Sequence, residues 1–136
     1  MVKLIIFFRK PRDVDAFEAH FSQRHVPLIS GMPNVVRTSV SRAIGAPRGE
    51  APYYLIHEVY FRDLPALNFA LNSAEGRAAG ADLMAFARDL ATVMFAEVWG
   101  EDPFELSPVA KPAVDPTDTP TPVEDARPPQ PSLGES

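Results

Sequence analysis

The stretch Tyr53-Tyr54-Leu55-Ile56-His57-Glu58-Val59-Tyr60-Phe61-Arg62-Asp63-Leu64-Pro65 decides the fold, because a strand in it leads directly into a helix. Residues 53–61 are rich in aromatic and β-branched side chains, which is typical of a buried strand. Asp63 can accept a hydrogen bond from the first turn of a helix, and Pro65 suits that turn. We therefore predict a strand over 53–61 and a helix from Leu64 to about Asn72.

The segments on either side complete an alternation of strands and helices. Apolar spacing and turn residues predict the remaining elements: a strand over 2–8, a helix over 14–29 that Pro27 kinks or ends early, a strand over 35–43, a helical segment over 73–88 with Gly76 and Gly80 as weak points, and a strand over 92–99. The order β-α-β-β-α-β predicts a ferredoxin-like α+β fold with an antiparallel sheet and helices on one face.

Both faces of the predicted sheet carry apolar side chains, although helices should cover only one of them. In the first strand, Leu4 and Ile6 share one face while Ile5 and Phe7 share the other. At about 25 cal/mol per Å², leaving a whole apolar face in water would forfeit several kcal/mol. We expect a second copy of the sheet to cover it, which gives a homodimeric α/β barrel. The alternative cover is the C-terminal segment, whose apolar content is low.

Residues 103–136 differ from the rest of the chain in composition. Nine of the 15 prolines lie there, and the segment contributes −4 of the formal net charge of −5. Such a segment cannot offset its ordering entropy, so we predict a folded domain over 1–102 and a disordered acidic tail over 103–136, which serves either as a solubilising appendage or as a docking segment. The folded part is nearly neutral, which argues against nucleic acid as a partner.

Composition also limits location and chemistry. The 136 residues include no cysteine, which excludes disulfides, thiolate metal sites and thiol nucleophiles. The longest apolar run, over 4–8, is far shorter than the ~20 residues of a membrane span, and its flanks are not those of a signal peptide. The three histidines lack a metal-ligand spacing, and a Gly-rich dinucleotide fingerprint is absent. We expect a soluble, cytoplasmic protein without metal or cofactor.

The segment His25-Val26-Pro27-Leu28-Ile29-Ser30-Gly31-Met32-Pro33-Asn34-Val35 resembles the His-x-Pro-Leu and Met/Leu-Pro-Gly pattern of EthD-type proteins, which are named after ethyl tert-butyl ether degradation. Residues 58–67 and 73–83 are similar to two further segments of that family, in the same order. The resemblance covers about residues 2–102 and implies the dimeric α/β-barrel superfamily. Asn34 stands where the family usually has glycine, and asparagine tolerates the left-handed conformation.

The resemblance also implies a range of functions. Relatives of known activity include lactone isomerases and tailoring enzymes of polyketides or aromatic compounds, and many family members are labelled oxidoreductases. They share an apolar cavity and a polar side chain that transfers a proton. The resemblance thus implies a small, cofactor-independent catabolic enzyme for hydrophobic ring compounds. The alternatives are a cofactor-free monooxygenase and a non-catalytic protein that binds an apolar ligand as an accessory to a partner oxidase.

His25 is the strongest candidate for a general acid/base. It lies four residues after Phe21 and eight after Phe17, on or beside the core-facing side of the first helix. Imidazole can take or give a proton near neutral pH, and the family pattern also has a histidine here. The alternative is a buried histidine that bonds to a free carbonyl at the Pro27 kink.

His57 is the second catalytic candidate, and four residues are candidates for substrate binding: Tyr54, Glu58, Tyr60 and Trp99. Alternation along the strand places His57 on one face, and Tyr54, Glu58 and Tyr60 on the other. His57 and Glu58 therefore cannot enter the same cavity without a bulge. Resemblance to the lactone isomerases favours the His57 face, although the reactive position there is Val59 in this chain.

Three residues are also predicted to have purely structural roles. An ion pair or a capping contact is the alternative role of Glu58. His20 is predicted to lie at the solvated rim of its helix, and Asp82 is predicted to cap the short helix that follows it.

Overall fold

The structure is a computed structural model that describes residues 1–101, so the tail predicted over 103–136 lies outside the described residues. Residues 1–97 form the unit treated below, and residue 98 begins a second unit. The elements of the first unit are β1 (Val2–Phe8), α1 (Val14–His20), a π-helical turn (Phe21–His25), α2 (Val26–Ser30), β2 (Arg37–Arg42), β3 (Leu55–Phe61), α3 (Leu64–Asn72), α4 (Ala74–Ala87) and β4 (Ala91–Glu97).

The four strands form one antiparallel sheet in the order β2-β3-β1-β4. The central strand β1 pairs on one side with β3, where Ile6 lies opposite His57, and on the other side with β4, where Ile6 lies opposite Val93. The strands that precede the helical segments, β1 and β3, form the middle of the sheet, and the strands that follow those segments, β2 and β4, form its edges. This arrangement confirms the predicted ferredoxin-like α+β fold.

Helices cover the face of the sheet that carries Leu4, Ile6 and Phe8 of β1. The same face of β3 carries Leu55, His57, Val59 and Phe61, and all seven side chains are at most 3% exposed. The helical segments contribute Phe17 and Phe21, whose rings lie 5.3 and 5.6 Å from the ring of Phe8. The core thus lies between the helices and this face, with His57 inside it.

Short polar side chains begin the helices, as the sequence predicts for Asp63. The carboxylate of Asp13 accepts a hydrogen bond from the backbone N–H of Ala16 at 3.0 Å, and that of Asp63 accepts from Ala66 at 2.9 Å. Ser73 separates α3 from α4 and accepts from the backbone N–H of Gly76. The predicted weak point at Gly76 does not interrupt the helix, because α4 runs through it. Glycine is required there by the close approach of α3, whose last carbonyl oxygens a Cβ would clash with.

The first helical segment departs from the prediction in its middle. Pro27 does not interrupt it; the helix instead changes type upstream, where the N–H of Val26 donates to the carbonyl of Phe21, five residues before it. In a regular α-helix the ring of Pro27 would clash with the carbonyl of Gln23. The π-helical turn relieves that conflict, and the chain stays helical to Ser30. Asn34, with φ of 69°, takes the expected left-handed conformation in the following turn.

Two strand predictions need correction. β4 ends at Glu97 rather than at Trp99, because Glu97 pairs with Val2 and β1 has no strand residue left beyond it. β3 begins at Leu55, so strand alternation does not extend to Tyr53 and Tyr54. Tyr53 lies against Phe7 on the face without helices, while Tyr54 lies against Phe17 on the helical side.

None of the helices within residues 1–101 combines the length and the apolar character that crossing a bilayer requires.

Candidate functional site

His25 and His57 are both fully buried and lie side by side in the core. His25 comes from the end of the π-helical turn and His57 from the middle of β3; neither side chain is accessible to solvent. Their ring centroids are 6.2 Å apart. The ring of Phe21 lies next to both, at 6.0 Å from His25 and 5.3 Å from His57. The two predicted catalytic candidates therefore share one apolar environment.

The carboxylate of Asp82 joins His25 to a third histidine. Nδ1 of His25 donates to Oδ2 of Asp82 at 3.0 Å, and Nε2 of His20 donates to Oδ1 at 2.9 Å. A carboxylate can only accept, so Nδ1 of His25 carries a proton and Nε2 of the neutral ring has a free lone pair. The alternative prediction, in which His25 bonds to a free backbone carbonyl near Pro27, is therefore wrong for Nδ1, whose acceptor is the Asp82 carboxylate.

Sequence reasoning missed the role of Asp82. This residue lies inside α4, whose bounds are Ala74–Ala87, so the prediction that it caps a following helix is wrong. A usable signal was present: Ala79, Leu83 and Ala87 are the buried stripe of α4, and Asp82 lies one turn from Ala79 on that side. A carboxylate on a core-facing stripe needs a hydrogen-bond donor, which directs attention to the histidines.

Three ring nitrogens in this cluster are buried without a hydrogen-bond partner among residues 1–101. They are Nε2 of His25 and both nitrogens of His57. Each such group costs about 1 to 3 kcal/mol relative to a satisfied one, and native cores contain few of them. His25 and His57, both fully buried, thus have unused hydrogen-bonding capacity next to each other in the core.

Burial also sets the protonation of the cluster. Burial lowers the pKa of His57 to about 4, with a contribution from the neighbouring His25. Burial likewise lowers the pKa of His25, although the hydrogen bond to Asp82 opposes this. For Asp82, burial acts to raise the pKa, but the bonds from His20 and His25 outweigh it and lower it. Near neutral pH both buried rings are therefore neutral and Asp82 is ionised.

The remaining predicted residues do not join this cluster. Glu58 and Tyr60 lie on the opposite face of the sheet, where Glu58 accepts from Nζ of Lys3 at 3.0 Å and the guanidinium of Arg37 lies 3.7 Å above the ring of Tyr60. Of the two alternative roles predicted for Glu58, the structure has the ion pair, with Lys3 as its partner. Tyr54 donates through its hydroxyl to Glu18 of α1, and Trp99 follows β4 with an exposed side chain.

A shallow apolar groove of about 310 Å³ lies between α2 and α4, lined by Pro27, Leu28, Gly31, Ala74, Glu75 and Ala78. Ala74 and Ala78 precede Asp82 by eight and four residues, so the three residues follow one stripe of α4. On the other wall, Pro27 comes two residues after His25. The groove therefore runs beside the elements that carry the histidine–aspartate pair.

The arrangement can transfer a proton. Nε2 of His25 can accept one while the Asp82 carboxylate stabilises the imidazolium, and the apolar surroundings strengthen that interaction. Neutral His57 can donate from one nitrogen and accept at the other, which suits the orientation of a polar group. Within residues 1–101, no group of three or more histidine, aspartate or glutamate side chains has an arrangement that could hold a metal ion.

Fold and site together define a small α+β protein with a ferredoxin-like sheet and a buried histidine–aspartate pair. The family model of the EthD domain matches residues 9–89, which is more than half of the chain. The chain therefore belongs to the EthD family, as its sequence resemblance indicated.

Known relatives agree with this assignment. The chain is 30% identical over 97 residues to an uncharacterized 11.0 kDa protein in the thcB-thcC intergenic region of Rhodococcus erythropolis, covering 71% of this chain and 94% of that protein. It is 40% identical to an EthD family protein from Bacillus halodurans C-125, with a TM-score of 0.69 and coverage of 71% and 97%. A dimeric ferredoxin-like protein of unknown function from Jannaschia sp. CCS1 has the same fold at 14% identity, with a TM-score of 0.58 and coverage of 71% and 98%.

Proposed function

We propose that this protein is a cofactor-independent enzyme that acts on a hydrophobic ring compound, such as a lactone, a phenol or a polyketide-like molecule, with His25 as the general acid/base. The reaction class is a proton shift, as in an isomerisation or cyclisation. Nε2 of His25 takes a proton from one atom of the substrate and returns it to another, so the enzyme ends each cycle in its starting state. This balance needs no oxidant and no reductant.

The observation that carries the proposal is the pairing of His25 with Asp82 in the core. His25 is fully buried, its Nδ1 is bonded to a carboxylate, and its Nε2 has no partner among the described residues. A histidine that only stabilised the fold would be expected to use both nitrogens. His57 is equally buried and has no hydrogen-bond partner within residues 1–101 at either nitrogen, so it supplies the second polar contact that a substrate needs for orientation.

The groove between α2 and α4 is the proposed approach for the substrate. Its lining is apolar except for Glu75, which fits a ring compound with few polar groups. Leu28 comes from α2, which follows His25 directly in the chain, and Ala78 comes from α4, which carries Asp82. Binding there brings a ring compound next to the segment that ends in His25.

The test is a thermal-shift screen against lactones, phenols and fatty acyl compounds, followed by mass spectrometry of every stabilising compound. For a converted compound, His25→Gln is expected to lower the turnover number by about 10²- to 10⁴-fold, because the base is removed while the side-chain volume is nearly kept. Ser22→Ala, an exposed change in the same π-helical turn, serves as the control and should keep wild-type turnover.

Other results of that screen would contradict the proposal. Equal turnover by His25→Gln would place the base elsewhere. Compounds that stabilise the wild type but emerge unchanged would favour the accessory binding protein. Consumption of molecular oxygen with each turnover would favour the cofactor-free monooxygenase.

The proposal includes a homodimer in which two sheets form a barrel. Support comes from Met94 of the edge strand β4, which lies opposite Ile5 on the other face of the sheet and is 47% exposed, and the Jannaschia neighbour is itself dimeric. Light scattering at micromolar concentration is expected to give twice the chain mass for the wild type and the chain mass for Met94→Glu. Phe69→Glu, at an exposed position on α3, should remain dimeric. A monomeric wild type would contradict the barrel.

A further inference from the structure

Two histidines donate hydrogen bonds to the Asp82 carboxylate, and they differ in burial. His25 is inaccessible to solvent, whereas the side chain of His20 is 33% exposed and that of Asp82 is 9% exposed. Nε2 of His20 lies 2.9 Å from Oδ1 and 3.1 Å from Oδ2 of Asp82. His20 therefore closes the outer side of the carboxylate, while His25 occupies its inner side.

The π-helical turn is what allows both rings to reach one carboxylate. An α-helix turns about 100° per residue, so side chains five positions apart point about 140° away from each other. Hydrogen bonding to the fifth residue, as in the turn over Phe21–His25, widens the helix and brings such positions close to one side. The ring of His20 is also stacked on Phe86 of α4 at 4.4 Å, and Phe86 lies 5.1 Å from His25.

Asp82 has a competing partner in solvent. Nε of Arg24 lies 3.7 Å from Oδ1, which is an ion pair without a proper hydrogen bond, and the Arg24 side chain is 70% exposed. A carboxylate on a rotatable side chain would turn towards such a cation if nothing held it. The short bond from His20 holds Oδ1, and Oδ2 is thereby directed at Nδ1 of His25.

We propose that His20 is a positioning residue that orients Asp82 and so fixes the tautomer of His25, with the proton on Nδ1 and the lone pair on Nε2. The catalytic meaning of this control rests on the proposed role of His25 as a base. The positioning itself is a property of the resting protein, and it can be measured without a substrate. The positioning role of His20 and the catalytic role of His25 can therefore be tested separately.

The test is nitrogen NMR of protein labelled with ¹⁵N-histidine, with the His25 signals assigned from His25→Gln. Wild type and His20→Gln, whose amide can still donate to Asp82, are expected to have His25 as the Nδ1–H tautomer. In His20→Leu the donor is missing, so exchange of the His25 Nδ1 proton with water should rise at least tenfold and the Nε2–H tautomer should appear. His20→Ser, too short to reach Asp82, should behave like His20→Leu.

Two comparisons separate positioning from a general loosening of the fold. Arg24→Gln should leave the His25 signals as in the wild type, because Arg24 is the competitor and not the holder of Asp82. Backbone amide exchange along α4 should be the same in His20→Leu and His20→Gln. Wild-type tautomer and exchange rate of His25 in both His20→Leu and His20→Ser would overturn the proposal, as would an equal change in His20→Gln.

Discussion

Replacing Asp82 with alanine is expected to lower the free energy of unfolding by about 2 to 4 kcal/mol at pH 7. The change removes the charged acceptor of a hydrogen bond from a fully buried ring, and it leaves Nδ1 of His25 without a partner in the core. The bond from His20 is lost as well. Urea denaturation of wild type and variant, with the slope compared as well as the midpoint, measures the difference.

Glu75→Ala is the matched control, because Glu75 is an exposed carboxylate in the first turn of the same helix. Its loss should cost less than about 1 kcal/mol, the size of a helix-dipole interaction. In the double variant Asp82→Ala with His25→Phe, the stranded donor is removed together with its acceptor. The double variant should therefore lose less than the sum of the two single changes. An Asp82→Ala protein as stable as Glu75→Ala would contradict the described pair.

Acid is expected to destabilise the protein through His57 between about pH 6.5 and pH 4. In that range an unfolded His57 binds a proton, whereas the folded protein keeps it neutral because burial lowers its pKa to about 4. Stability therefore rises with pH across this range and is lost as the pH falls, by roughly 3 kcal/mol for a displacement of this size. His25 adds to the same trend, while Asp82, whose pKa is also lowered, adds a loss only below its ordinary value of 3.8.

His57→Leu is the variant that isolates this effect. Leucine has no proton to bind, so the dependence of the unfolding free energy on pH should become markedly flatter between pH 6.5 and 4. The variant should be at least as stable as the wild type at pH 7, because it replaces two buried nitrogens that have no partner in the described part of the chain with an apolar side chain. Identical pH profiles for the two proteins would show that His57 is not held neutral by burial.

The expected stability cost of His57 supports the proposal that this residue has a functional role. Native proteins depart from well-satisfied cores mainly at functional sites. His57 is such a departure, and it lies beside a second one at Nε2 of His25.

Most of the fold was predictable from local sequence. The apolar run of β1 and the capping residues Asp13 and Asp63 specify where the elements begin, and the structure has them within two residues of the predicted positions. The end of β4 was not predictable from its own residues. It depends on where the partner strand β1 runs out, which is a property of the sheet register.

The candidate site was only half predictable. The burial of His25 follows from its spacing after Phe17 and Phe21, and the burial of His57 follows from strand alternation. The convergence of His20 and His25 was hidden, because α-helical geometry directs side chains five residues apart to different sides. Only the π-helical turn brings them to Asp82, and such turns lack a sequence signature as clear as that of a cap.

The state of Nε2 of His25 at pH 7 tests the central claim most directly. If His25 is a buried base oriented by Asp82, the nitrogen spectrum of the ¹⁵N-histidine-labelled wild type should have its Nδ1 protonated and its Nε2 unprotonated. The His25 ring would then be neutral, with a lone pair ready to take a proton. A doubly protonated ring, or a neutral ring with the proton on Nε2, would leave no lone pair on Nε2 and would contradict the assignment of His25 as the base.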